Sequence, residues 1–216
     1  MTLVLTTFDW VPEFPRGHVR DLRIRWLLEE IGREYEVDTV PAVERSAEHL
    51  ARQPFAQVPM IRDGELSLFE SGAILLHLAE GTELMPEGQD RALTLQWVIA
   101  ALNSVEPFAL QWEVARFFDE DEAAATRLEA PLRQRLAQLQ AALEGRDWLV
   151  ADRFTVADLL MSDMLRIPAQ AGLLDDLHGL AAYAERATSR PAFGRAMADH
   201  MAHWQAADAR QKDGAG

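Results

Sequence analysis

Strand-forming patterns in this chain end before residue 81, and that boundary restricts its fold more than any other feature. Leu3-Val4-Leu5-Thr6 is a short apolar run that reads as a buried strand. From Val19 to Ile31 the residues Val19, Leu22, Trp26, Leu27 and Ile31 fall on one helical face, with Arg20, Arg23, Glu29 and Glu30 opposite and Gly32 as the stop. Tyr35 to Val40 reads as a second strand closed by Pro41, and a polar helix is expected over roughly Val43 to Arg52. Two apolar-alternating runs, Val58 to Arg62 and Glu65 to Phe69, flank Asp63-Gly64, a strong hairpin signal. Ser71 then opens the apolar helical run Ala73 to Ala79. The order is β-α-β-α-β-β-α.

Beyond Gly81 the periodicity is helical throughout. Trp97, Ala101, Leu102, Val105, Phe108 and Trp112 form one apolar stripe, with Pro107 expected to bend that helix. A long amphipathic helix is predicted over Leu128 to Leu143. Another starts with Thr155 as N-cap, Asp158 at the third helical position, and Phe154 and Leu159 spaced as a hydrophobic staple. Shorter helices follow near Asp175 to Thr188 and from Pro191, and the tail from Gln211 to Gly216 reads as frayed. The predicted organisation is an α+β domain over residues 1–80, a linker over 81–87 and an all-α domain over 88–216.

Composition removes several classes of chemistry. With no cysteine in the chain, structural disulfides, thiolate metal sites and a cysteine nucleophile are excluded, and no metal site is expected. Any reactive sulfur must arrive on a small molecule. A net charge of −14 repels a phosphate backbone, so nucleic acid is not an expected partner. The opening residues have no basic segment followed by an apolar run, and no apolar stretch of roughly 20 residues is evident. A cytoplasmic protein without a membrane partner is the expectation.

The β-α-β-α-β-β-α order is a thioredoxin-like layout. Within it, Glu48-His49-Leu50-Ala51-Arg52-Gln53-Pro54-Phe55-Ala56-Gln57-Val58-Pro59, continued by Asp63-Gly64 and by Leu68-Phe69-Glu70-Ser71-Gly72-Ala73-Ile74, resembles the cytosolic glutathione transferase superfamily. The likeness is greatest to the plant phi-type and related bacterial enzymes, and the capped start at Phe154 to Asp158 is similar to the superfamily's signature in its helical domain. The resemblance implies a thioredoxin-like domain followed by a helical one, glutathione held between them as co-substrate, a homodimer, and a role in detoxification. It implies a cis Pro59 and a backbone pairing of Val58 with the cysteinyl part of glutathione. Physical chemistry agrees, since a residue before proline is pushed towards an extended form with its N–H and C=O available for one more strand. Ser71, at a helix start, suits a carboxylate. Glu70 balances the ammonium group of the γ-glutamyl moiety, Gln57 offers an amide to the same end, and Arg45 falls where relatives place a cation for the glycine carboxylate.

One part of the family pattern is missing. The position that normally carries a tyrosine, serine or cysteine lines up near Val19, and the only tyrosines, Tyr35 and Tyr183, come too late. Thiol activation is therefore expected from the start of the first helix together with Arg20, with Arg16, His18 and the hydroxyls of Thr6 or Thr7 as alternatives. Trp10, Phe14 and Trp112 are the candidate lining of an electrophile pocket. The expected reaction is attack of the glutathione thiolate on a small electrophile. The alternative is a non-catalytic glutathione-binding or regulatory protein that keeps the fold.

Overall fold

A computed structural model describes residues 2–214 of the chain. In order, the elements are β1 (Leu3–Phe8), α1 (Asp21–Ile31), β2 (Tyr35–Val40), α2 (Ala47–Arg52), β3 (Met60–Asp63), β4 (Leu66–Phe69), α3 (Ser71–Ala79), α4 (Gly88–Ala100), α5 (Glu106–Glu113), α6 (Glu122–Ala142), α7 (Val156–Gln170), α8 (His178–Thr188) and α9 (Pro191–Gly214). Contacts divide them into two compact units. The first takes the residues up to Ala79 together with those from Pro191 onward, and the second takes Glu80–Arg190. The last helix thus groups with the sheet, whereas its sequence position had assigned it to the helical part.

In the first unit the strand order is β2-β1-β3-β4. β1 runs parallel to β2 from Leu3↔Tyr35 to Phe8↔Val40, and antiparallel to β3, which pairs antiparallel with β4. β1 is central and largely buried, as its apolar run requires, while the polar β2 lies at an edge. Gly64 supplies the positive φ (63°) needed at the Asp63-Gly64 turn. α1 stops at Gly32, in the left-handed conformation, whose N–H returns to the Leu28 carbonyl.

The faces of α1 differ from the expected stripe. Arg23 is buried together with Arg25, because α3 and α9 both pack against this helix. Arg25 is carried into the interior by Asp21, its Nε donating to Asp21 Oδ2 at 2.8 Å. Periodicity identifies an apolar stripe but does not reveal how many sides of a helix are covered.

In the second unit, Pro107 lies within the continuous helical stretch Gly88–Phe118, directly after a π-helical segment and in the first turn of α5. Two segments of this stretch depart from α geometry and are π-helical, Ala101–Val105 and Val114–Phe118. The stretch Gly88–Phe118 is, by length and composition, apolar enough to cross a membrane, which the sequence reading did not expect. It contributes Val98, Ala101, Val105, Ala109 and Trp112 to the core. α6 starts at Glu122, earlier than predicted, because Asp121 caps it by accepting from the Ala124 N–H at 2.9 Å. At α7, Asp158 accepts from the Thr155 N–H at 2.9 Å, giving the reciprocal contact expected of a capping box. α9 continues to Gly214, so the part of the tail that is described is helical, while Ala215 and Gly216 lie outside the described residues.

Candidate active site

Register gathers the candidate residues at one end of the sheet. β1 ends at Phe8, and its neighbour Thr6 pairs with Met60, the first residue of β3. Met60 in turn pairs with Phe69, the last residue of β4. The chain leaving β1, the Val58-Pro59 peptide entering β3 and the Glu70-Ser71 step into α3 therefore lie side by side. The Val58-Pro59 bond is cis, and Val58 lies outside both ladders of β3. Glu70 takes a left-handed conformation (φ 69°), and its carbonyl accepts from the Ile74 N–H at 2.9 Å. The backbone N–H groups of the first turn of α3 have no partner within the helix, which makes this end attractive to an anion.

Ser71 is buried and Glu70 exposed. Arg23, which the sequence had placed on an open face, donates from Nη1 to Ser71 Oγ at 3.3 Å. A full positive charge thus stands behind the serine at the helix start. Gln57 is exposed and Val58 partly so, with His49 buried nearby and its imidazole held below the ordinary range by burial. Arg45 spans this region, donating to the carbonyls of Ala56 (Nε, 2.9 Å) and Pro41 and stacking 4.9 Å from the Phe8 ring. Its guanidinium is held beside the Gln57-Val58 segment.

The proposed helpers at the β1–α1 junction fall differently. Arg20 occupies the N-cap of α1 without capping it by its side chain. The Leu22 and Arg23 N–H groups turn inward to the carbonyls of Val19 and Arg20, at 3.0 and 3.2 Å. The first turn of α1 already contains the buried Asp21, whose carboxyl is raised by burial yet held below the usual range overall by His200 and Arg25. The hydroxyls of Thr6 and Thr7 are sealed beneath the surface, with no hydrogen-bond partner among the described residues. Trp112 is buried in the second unit, edge-on to Phe117. Phe14 is 54 % exposed.

Trp10 and Arg16 both lead to α9. The Trp10 indole N–H donates to Asp208 Oδ1 at 2.9 Å, and Arg16 meets both carboxylate oxygens at 2.7 Å. These bonds hold the Asp208 carboxyl down to about 2. No local motif announces Asp208. Its only sequence signal is the i, i+4 series Ala196, His200, Trp204, Asp208 on one face of the last helix.

Family comparisons agree with this geometry. The model described as "Glutathione S-transferase, N-terminal domain" matches residues 4–80, and the one described as "Glutathione S-transferase, C-terminal domain" matches residues 92–191. The chain is 31% identical to the disulfide-bond oxidoreductase YfcG of Escherichia coli (strain K12), over 85% of this chain and 90% of that protein. It is 30% identical to glutathione S-transferase F11 of Arabidopsis thaliana, over 74% of this chain and 83% of that one. Among solved structures, a glutathione transferase family member from Pseudomonas fluorescens with two glutathione molecules bound superposes with a TM-score of 0.79 at 25% identity, covering 91% of this chain and 92% of that one. With a matching sheet, a matching helical unit and relatives of nearly full length, this chain belongs to the glutathione S-transferase family.

Proposed function

We propose that the chain is a glutathione-dependent transferase whose reactive sulfur belongs to the bound tripeptide. The observation that carries this reading is the convergence of Val58-Pro59 and Glu70-Ser71 at one end of the sheet, backed by the Arg23–Ser71 hydrogen bond. Glutathione pairs with the Val58 backbone as an added strand. Its γ-glutamyl carboxylate meets Ser71 and the start of α3, its ammonium group Glu70, and the amide of Gln57 serves the same end. Arg45 faces the glycine carboxylate. The thiol then points towards the chain leaving β1, where Arg20, at the N-cap of α1, is the cation that favours the thiolate. That sulfur forms a bond to an electrophilic carbon while the leaving group departs with its electron pair.

A second reading, a binder without turnover, is favoured by the sealed hydroxyls of Thr6 and Thr7 and by the lack of a tyrosine or serine at the junction. The name of the YfcG relative adds a subtype to test, in which the thiolate attacks a disulfide and a second glutathione completes the exchange. Thermal unfolding with glutathione is the first test. Saturation at 100 times Kd should stabilise the chain by about 2.7 kcal/mol, and Ser71→Ala or Glu70→Gln should remove most of that gain. Absence of protection in the parent chain contradicts both readings. Turnover of a chromogenic electrophile or of a small disulfide then separates enzyme from binder.

A further inference from the structure

The connection between β1 and α1 runs from Asp9 to Arg20, longer than the roughly 2–6 residues usual for a strand–helix loop. Within it the backbone closes short turns, the Arg16 N–H donating to the Glu13 carbonyl at 3.1 Å and the His18 N–H to the Pro15 carbonyl at 2.9 Å, and Asp9 is held to Val40 at 2.9 Å. One face of α9 adds anchors from outside the loop. The Phe8 carbonyl accepts from His203 Nε2 at 2.9 Å. Asp208 receives the Trp10 indole N–H and both terminal nitrogens of Arg16. The Gly17 N–H donates to His200 Nε2 at 3.2 Å. Because a backbone N–H only donates, His200 Nε2 is bare and its ring proton sits on Nδ1, 3.4 Å from Asp21 Oδ2. Arg16 also ties the loop to itself, reaching the Val11 carbonyl from Nε and Nη2 at 3.2 and 3.0 Å.

Asp208 is the hub of this arrangement. It is the acceptor shared by two loop side chains six positions apart, and the bidentate geometry to Arg16 fixes direction as well as distance. Between those two anchors the loop carries Phe14, exposed, on a stretch that leaves β1 at the end where the thiol is placed. We propose that Asp208 is a positioning residue for the electrophile: through Arg16 and Trp10 it fixes the loop and holds Phe14 as a wall of the electrophile subsite. This rests on the glutathione reading above. It assigns to the last helix a part in choosing the second substrate, while glutathione itself is held from β3, β4 and α3.

The experiment is Asp208→Asn in the full chain. Asparagine keeps an acceptor for Trp10 but turns amide hydrogens towards the guanidinium of Arg16, breaking the bidentate pair. The expected result is a KM for a chromogenic electrophile raised about tenfold, with the glutathione Kd changed by less than about twofold. Amide exchange over residues 9–20 should quicken in the variant. If Asp208→Asn fails to fold, Trp10→Phe removes one anchor alone and should move the electrophile KM in the same direction by a smaller factor. An unchanged electrophile KM overturns the inference, as does a glutathione Kd that rises in step with it, or a parent that binds glutathione but turns over no electrophile. A parent that binds no glutathione at all fells the glutathione reading and the inference together, which separates that failure from the others.

Discussion

Glu70 holds a backbone conformation that a residue with a Cβ adopts only at a cost of about 1–2 kcal/mol, at the point where β4 turns into α3. Glu70→Gly should therefore raise the unfolding free energy by up to about 1 kcal/mol while weakening glutathione binding, a divergence that denaturant unfolding and calorimetry would register together. Asp21 makes the opposite case. It is buried beside Arg25 and His200, and Asp21→Asn leaves the Arg25 guanidinium without its nearest buried counter-charge, at a cost of about 3–5 kcal/mol. Its folded carboxyl ionises below the ordinary range, so its stabilising share is complete above an unfolded value of about 3.9 and is lost as pH falls through the folded value. The penalty of Asp21→Asn, read by denaturant unfolding, should be steady at neutral pH and shrink in acid. Gln57, Val58, Glu70 and Ser71 were legible because their roles lie in short spacings around a proline and a helix start. Arg23 was not, since its burial comes from two helices packing on α1.

Helix ends follow local chemistry closely. Asp158 accepts from the N–H groups of Leu149 and Thr155 and from the hydroxyls of Thr155 and Tyr183. Thr155→Ala should cost about 0.5–2 kcal/mol, the ordinary price of a cap. Asp158→Ala should cost more, because it strands several buried donors at once. Chemical denaturation of the two variants side by side checks the order, and equal losses would contradict it. The capping box and the Asp63-Gly64 hairpin were readable because each is complete within a few residues. α2 was drawn too long, since Ser46 caps it by accepting from the His49 N–H at 3.1 Å and so delays its start. The π-helical segments flanking α5 leave no comparable mark in the sequence.

At the scale of the whole molecule, the first unit is discontinuous in sequence. Strands end near residue 80, and this change of pattern is visible without a structure. The assignment of α9 to the sheet unit is not, because contacts made across more than 160 residues, such as Arg195 to Glu29, have no local signature. Trp26 is fully buried and meets Phe193 of α9 edge-on at 4.7 Å, and Arg25 reaches Asp199. A fragment ending at Ala79 should accordingly lack cooperative unfolding by circular dichroism, since it exposes that face of α1 and leaves Arg25 partly unpaired. A cooperative transition in that fragment would show that α9 is dispensable to the unit.

The absence of cysteine makes the central claim sharply testable, because any thiolate detected in the complex must be that of glutathione. The direct measurement is a pH titration of the ultraviolet thiolate absorbance of glutathione bound to the full chain. The account predicts half-ionisation roughly one unit or more below the ordinary thiol value of about 8.5. Bound glutathione that titrates like the free tripeptide would contradict it.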